Sequence, residues 1–516
     1  MTTAFRTTTT ARETTAQETT AFRTTTTARE ATVRKTPAAR RSHFGRLPRG
    51  APVSIFRFRR TSLLAALALL AALSMAASLP VSAAPDAPDR VSPAELRGVL
   101  NKLIRRGGVA VGHNGRVVFS HREGRYIPAS IIKLATAMAA FHYLGEDHRF
   151  LTEVHRWKNR LYIRGFGDPL LVSEAWRRMA KMLAEKGVFK QPYRRLMLDD
   201  SAFAPGQLVD GSTGTLNPYD ARLGALVSNF NTVFVQVRGR GRQKTVTSAE
   251  PQTPITPIAA RLGRRMRRGK HRINLTAWKI AGVKYSGELA QAIFTEAGGR
   301  FARKAGRGRV PPSAELLLAY RSSSTLRQLV GGMMKFSNNF IANQLVMAIA
   351  LQAGGKTPRA AGKTPRTGGG TPARRSAGRK PARLKTGMRL VREFMVRELG
   401  ISGKHFTLIE GSGISPRNSI TLSAMLAVVD AFHPWKELLK TFGDPPRVVA
   451  AKTGTLTGVY SLAGFLPAPP GGRRPFVIIL NQRAYTRKKV FQALWDAYAR
   501  RPLSTGPQAV QRVKSR

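Results

Sequence analysis

The chain predicts an α/β fold in which an antiparallel sheet is flanked by helices and interrupted by a large inserted, strand-rich region. Three observations carry that expectation. Asn114-Gly115 lies between two β-rich runs, 109–111 and 116–120, which is the strongest short hairpin signal. The run 131–144 is apolar almost throughout and stops at Gly145, as a helix buried on every side does. Near the other end, runs 459–466 and 475–480 flank Pro469-Pro470-Gly471-Gly472 and read as a second hairpin.

Taken in order, residues 2–13 and 19–30 repeat one Thr-rich dodecapeptide, so residues 1–60 read as a basic, disordered leader, with a misassigned start site as the alternative. Arg57-Phe58-Arg59-Arg60 precedes an apolar run, 63–79, and Val81-Ser82-Ala83 offers small residues for cleavage. This layout places a secretory signal over 61–83 and predicts an exported protein, periplasmic or associated with the cell envelope. An uncleaved anchor is the alternative, because the run approaches spanning length. The main domain comes in two pieces, 91–150 and 314–498. Between them, 151–313 holds short strands such as Leu161-Tyr162-Ile163 and the run 233–237. Within the second piece, residues 354–383 are rich in Gly, Pro, Arg and Lys and predict a disordered basic loop. The last helix, over 487–500, should pack on the sheet.

Three short motifs follow one another along this frame. Ser130-Ile131-Ile132-Lys133 opens the buried helix, so the two polar side chains share one face of its first turn. A Ser hydroxyl becomes nucleophilic when a base takes its proton, and a Lys amine serves if burial lowers its pKa. The free N–H of Ser130 at a helix start can donate to a developing oxyanion. For that pair in isolation, a capping Ser with a snorkelling Lys is the more economical account. Ser337-Asn338-Asn339 sits between helical patterns 324–335 and 340–351, where Ser337 can pass a proton to a leaving amine and Asn339 can hold a substrate amide. A plain helix cap explains that motif equally well. Lys-Thr-Gly occurs twice. Lys385 ends the basic loop and runs into a helix expected over 388–399, so we take that copy as a compositional accident. Lys452 ends a β-rich run, 447–451, and an active-site lysine needs a rigid strand, so we choose Lys452.

With these motifs in this order, the chain resembles the class C low-molecular-mass penicillin-binding proteins, the D-alanyl-D-alanine carboxypeptidase/endopeptidase family. The resemblance spans about 91–498 and includes segments 199–203, 217–221, 228–231, 411–415 and 458–464. Over two hundred residues separate the first two motifs, which matches the extra domains that family inserts there. The resemblance implies a β-lactamase/transpeptidase-like catalytic domain and acyl transfer through a covalent intermediate. Ser130 is then the nucleophile and Lys133 its base, while Ser337, Asn339 and Lys452 complete the catalytic set. Thr453, Gly454 and Thr455 bind substrate, Lys452 and Thr453 taking its terminal carboxylate and the Thr455 N–H joining the oxyanion hole. Implied partners are peptidoglycan peptides, with β-lactam antibiotics as covalent inhibitors. The pattern departs from the family where Glu410 replaces Asp and Pro416 replaces Arg, with Arg417 one place later. Two other functions compete: an inactive cell-wall-binding scaffold, and a β-lactamase. The second lacks the Glu-x-x-x-Asn element that class A enzymes use for deacylation.

Composition excludes more than it selects. With no Cys in 516 residues, disulfides and thiol catalysis are impossible. The nine His show no metal-ligand spacing, so neither metal nor cofactor is expected. A net charge of +58 raises nucleic-acid binding, yet the basic residues are scattered without a recognised module. We expect no nucleic-acid partner. A basic surface instead favours peripheral association with anionic envelope polymers or membrane.

Overall fold

The structure, a computed structural model, describes residues 91–275, 281–353 and 380–499. The expected leader and signal (1–83) and most of the expected loop (354–379) lie outside the described residues. Helix α1 (Pro93–Leu103) begins with a capping box between Ser92 and Glu95 and leads into β1 (Gly107–His113) and β2 (Arg116–His121). Asn114 and Gly115 both take positive φ, 47° and 82°, which is what a two-residue hairpin turn requires. After β3 (Arg125–Tyr126) comes α2 (Lys133–Leu144), entered through a 3-10 turn at Ala129–Ile132. The long helix expected from Ser130 thus starts later and tighter. A 3-10 turn has three residues per turn, so positions 130 and 133 eclipse each other more closely than on an α-helix.

The inserted region carries two sheets. Strands β4 (Leu151–Trp157), β5 (Arg160–Gly165) and β6 (Tyr193–Asp199), with α3 (Ser173–Glu185) between the last two, begin the first. The second comprises β7 (Thr232–Arg238), β8 (Thr245–Ser248) and β9 (Gly269–Asn274), with α4 (Pro257–Arg264) before β9. Then α5 (Ala281–Glu296), β10 (Phe301–Arg307) and β11 (Glu315–Arg321) complete the first, in the order β10-β6-β5-β4-β11. Trp176, Leu198, Val235, Tyr285 and Phe294 belong to a separate hydrophobic core beneath these sheets. The expected boundary at 313/314 falls too early, because β11 pairs with β4 and so belongs to the insertion's sheet.

The chain rejoins the main core at α6 (Leu326–Phe336) and α7 (Asn339–Ala353), followed by α8 (Leu384–Arg397). The short strands β12 (Phe406–Thr407) and β13 (Ser419–Thr421) lead to α9 (Leu422–Ala431). Strands β14 (Lys440–Phe442), β15 (Val449–Leu456), β16 (Val459–Leu466) and β17 (Arg474–Leu480) then join β1 and β2, and α10 (Arg487–Tyr498) follows. Their order is β14-β15-β16-β17-β1-β2, every pair antiparallel. Alternation along β17 sorts its side chains: Phe476, Ile478 and Leu480 pack with α1 and α10, whereas Val477 and Ile479 join the core containing α2, α7 and α9.

Two features of the insertion reach α7. Asn229, Phe230 and Asn231 all hold positive φ, between 53° and 59°, a conformation that costs non-Gly residues about 1–2 kcal/mol each. Asn229 is held by Ser173 and Tyr285, and the Phe230 ring stands edge-on to Phe340, 6.3 Å between centroids. Gln344, fully buried on α7, donates to the carbonyls of Gly167 and Gly224.

The expected loop is anchored at its far end. Ala382 is buried and exchanges backbone hydrogen bonds with Ala202 and Ala204. Lys385 falls within the first turn of α8, earlier than the helix start expected at 388. Its motif is more than an accident of composition, because Gly387 lets α8 lie directly against α7. A Cβ there would stand 2.1 Å from the Val346 carbonyl oxygen. Gly387→Ala is therefore expected to destabilise the protein by about 1–3 kcal/mol, read as a lower urea midpoint at unchanged slope.

Candidate active site

Each motif reaches the site on a different element. Lys133 is fully buried, and its Nζ lies 2.8 Å from Ser130 Oγ, 2.6 Å from Asn339 Oδ1 and 2.7 Å from the Ser412 carbonyl oxygen. Ser337 ends α6 in the left-handed region (φ 54°, ψ 35°), while the Asn338 side chain accepts the Ile341 N–H and so caps α7. The cap falls to Asn338, which leaves the Ser337 hydroxyl to meet Lys452. Lys452 Nζ lies 2.9 Å from Ser337 Oγ and 2.7 Å from the Thr453 carbonyl oxygen.

Lys452 stands in the middle of β15 rather than at the end of a strand, because β15 runs on through Leu456. That extension brings Gly454 onto the turn that carries Ser130. A Cβ at Gly454 would lie 2.9 Å from the Ser130 nitrogen and 3.0 Å from the Ala129 Cβ, so only glycine allows this approach. Strand alternation puts Thr453 and Thr455 on the opposite side from Lys452 and Gly454. The five expected catalytic residues are therefore linked in two hydrogen-bonded groups, Ser130–Lys133–Asn339 and Ser337–Lys452, with Gly454 against the first.

A family model described as D-Ala-D-Ala carboxypeptidase 3 (S13) matches residues 106–262, 268–364 and 441–500. The chain belongs to that family. A D-alanyl-D-alanine carboxypeptidase of Actinomadura sp. (strain R39) is 28% identical over 425 residues, 69% of this chain and 74% of that one. The carboxypeptidase DacB of Haemophilus influenzae is 28% identical over 217 residues, 38% of this chain and 40% of that relative. The crystal structure of penicillin-binding protein 4 (dacB) from Haemophilus influenzae shares the fold, with a TM-score of 0.58 at 21% identity, covering 77% of this chain and 97% of that one. This chain is a serine-type D-alanyl-D-alanine carboxypeptidase that acts on peptidoglycan. Among the described residues, no helix is long and apolar enough to cross a membrane.

The carboxypeptidase's buried lysine is electrostatically tuned. Burial pushes the Lys133 amine well below its ordinary value, the nearby Lys452 charge lowers it further, and Glu410 works against both. Glu410 was visible in the sequence only as a departure from the family pattern. In the structure it organises a loop. Its carboxylate accepts the N–H groups of Ser412, Gly413 and Ser415 and the side-chain amides of Asn343 and Asn418. That grip holds the Ser412 carbonyl against Lys133. Arg417, mostly exposed, pairs with Asp210, and Ser415 donates to the same carboxylate. Nothing in local sequence pattern announces these partners, because Asp210 meets Arg417, and Asn343 meets Glu410, across long separations.

The pH dependence follows from the Lys133 shift. A lowered pKa means that the neutral amine, the form able to accept a proton, gains population as pH rises through a midpoint well below 10.5. Penicillin acylation rates should therefore rise with pH through such a midpoint. In Lys133→Arg, whose guanidinium cannot release its proton, acylation should drop about 10²–10⁴-fold at every pH, measured by stopped-flow or quenched labelling.

Proposed function

We propose that Ser130 is the nucleophile of this carboxypeptidase and Lys133 its general base. The observation that carries the reading is a fully buried, charge-depressed Lys133 amine 2.8 Å from Ser130 Oγ. Ser130 Oγ attacks the carbonyl carbon of the D-Ala-D-Ala peptide bond, and its proton passes to Lys133 Nζ. The carbonyl oxygen becomes an oxyanion facing the N–H groups of Ser130 and Thr455. As the tetrahedral intermediate collapses, the C–N bond breaks and Ser337, coupled to Lys452, hands a proton to the departing D-Ala amine; the proton held on Lys133 passes to Ser337 and leaves Lys133 neutral again. Lys452 and Thr453 take the substrate's terminal carboxylate, and Asn339 holds the amide of the stem. Water then attacks the Ser130 ester and gives its proton to Lys133; the bond from the acyl carbon to Ser130 Oγ breaks, Lys133 returns the proton to Oγ, and the shortened peptide leaves.

The same chemistry makes β-lactams covalent inhibitors, since ring opening leaves an ester on Ser130. The Haemophilus influenzae penicillin-binding protein 4 has been crystallised with a β-lactam, in keeping with this reading. We extend the reading to an exported enzyme of the cell envelope, with a basic surface that favours loose contact with anionic wall polymers.

The nucleophile is tested with a fluorescent penicillin. Ser130→Ala should abolish covalent labelling and D-Ala release from a muropeptide pentapeptide; label persisting in that variant would remove Ser130 from its role. The two Lys-Thr-Gly copies separate in the same assay. Lys452→Ala should lower acylation and peptidase turnover by about 10²–10⁴-fold, whereas Lys385→Ala should leave both near wild type. The reverse pattern would mean that the wrong strand has been assigned.

A further inference from the structure

Arg487 opens α10 on the far side of the sheet from Ser130 and is nearly inaccessible, at 8% exposure. A buried arginine needs acceptors for its fork. Here Nη1 donates to the Gly454 carbonyl at 3.0 Å, the Ser461 carbonyl at 3.1 Å and Thr455 Oγ1 at 3.3 Å. The Tyr485 hydroxyl takes Nη2 at 3.3 Å, and the guanidinium lies 5.3 Å from the Tyr485 ring and 5.8 Å from that of Phe442. All of these partners sit around one stretch of backbone, the β15–β16 pairing in which Gly454 faces Ser461 and Thr455 faces Tyr460.

The peptide unit between Gly454 and Thr455 has two ends. In a trans peptide the C=O and the following N–H point in opposite directions. The C=O of Gly454 points at Arg487, so the N–H of Thr455 points away from it, toward the edge of β15 that β14 leaves unpaired beyond Ala451. A charged donor on a carbonyl draws electron density along the amide and makes the opposite N–H a stronger donor. A buried cation behind the strand also favours negative charge in front of it.

We propose that Arg487 is a positioning residue for the acyl-transfer step: it polarises and fixes the Gly454–Thr455 amide so that the Thr455 N–H stabilises the oxyanion. This rests on the reading of Ser130 as nucleophile and Thr455 as oxyanion donor. Arg487 touches neither substrate nor nucleophile, so its contribution belongs to the transition state and leaves ground-state binding alone.

The test uses the full chain and a boronic acid that mimics N-acetyl-D-alanine. Boron accepts the Ser130 oxygen and becomes a tetrahedral borate whose oxygen occupies the oxyanion position. In Arg487→Met, peptide kcat and boronate affinity should fall together by about ten- to a hundredfold with KM unchanged, and Arg487→Lys, which keeps the cation, should recover most of both. Thermal unfolding of each variant monitors the fold. Should the Met variant not fold, Arg487→Gln carries the same measurement. Equal losses in kcat and boronate affinity at constant KM support the proposal. Unchanged boronate affinity, or a loss confined to KM or to melting temperature, overturns it. Failure of the underlying reading looks different, because wild-type enzyme would then show no tetrahedral boron signal by ¹¹B NMR.

Discussion

A lysine amine kept inside the protein, away from water, is the constraint from which most of this architecture follows. Lys133 has no solvent around it and meets three acceptors, contributed by the Ser130 turn, by the start of α7 and by the loop that Glu410 organises. A lysine stripped of water loses affinity for its proton, and Lys452 nearby adds to that loss. The three acceptors are spread over nearly three hundred residues of sequence, so they converge only if α2, α7 and the 410–418 loop are held rigidly. Their packing is correspondingly dense. Gly411 and Gly413 both approach α2 and its preceding turn where a Cβ would collide, with Ala129 O only 2.0 Å from a side chain at position 413.

How much of this was legible beforehand depends on the range of each interaction. Local signals translated well. The Asn114-Gly115 turn, the apolar helix after Ser130 and the C-terminal hairpin all appear where periodicity and turn chemistry placed them. Extents were less secure, because hydrogen bonding to neighbours decides them. Pairing with β16 carries β15 through Lys452 to Leu456, although Thr453, Gly454 and Thr455 read poorly as strand. Pairing with β4 draws β11 into the insertion. The Glu410 node and Arg487 stayed hidden for the same reason. Each is a lone charged residue whose meaning lies in acceptors and donors brought from elsewhere by the fold.

The insertion is more than an appendage with its own core. A left-handed turn of three non-glycine residues is costly, and here it is over-determined by Ser173, Tyr285 and the carbonyl of Arg222. What that strain secures is the position of Phe230 against Phe340, the residue next to Asn339. Gln344 adds two further hydrogen bonds one turn along. The region that interrupts the catalytic sequence thus braces the helix that presents one of the acceptors for Lys133.

The pairing of β1 with β17 has a consequence in time as well as in space. Strand β1 precedes Ser130 by some twenty residues, yet its neighbour on one side ends at Leu480. A sheet joined across almost the whole chain closes late, since loop-closure entropy must be met before its contacts form. A polypeptide that stops short of β15 carries Ser130 and Lys133 without the strand that holds Lys452.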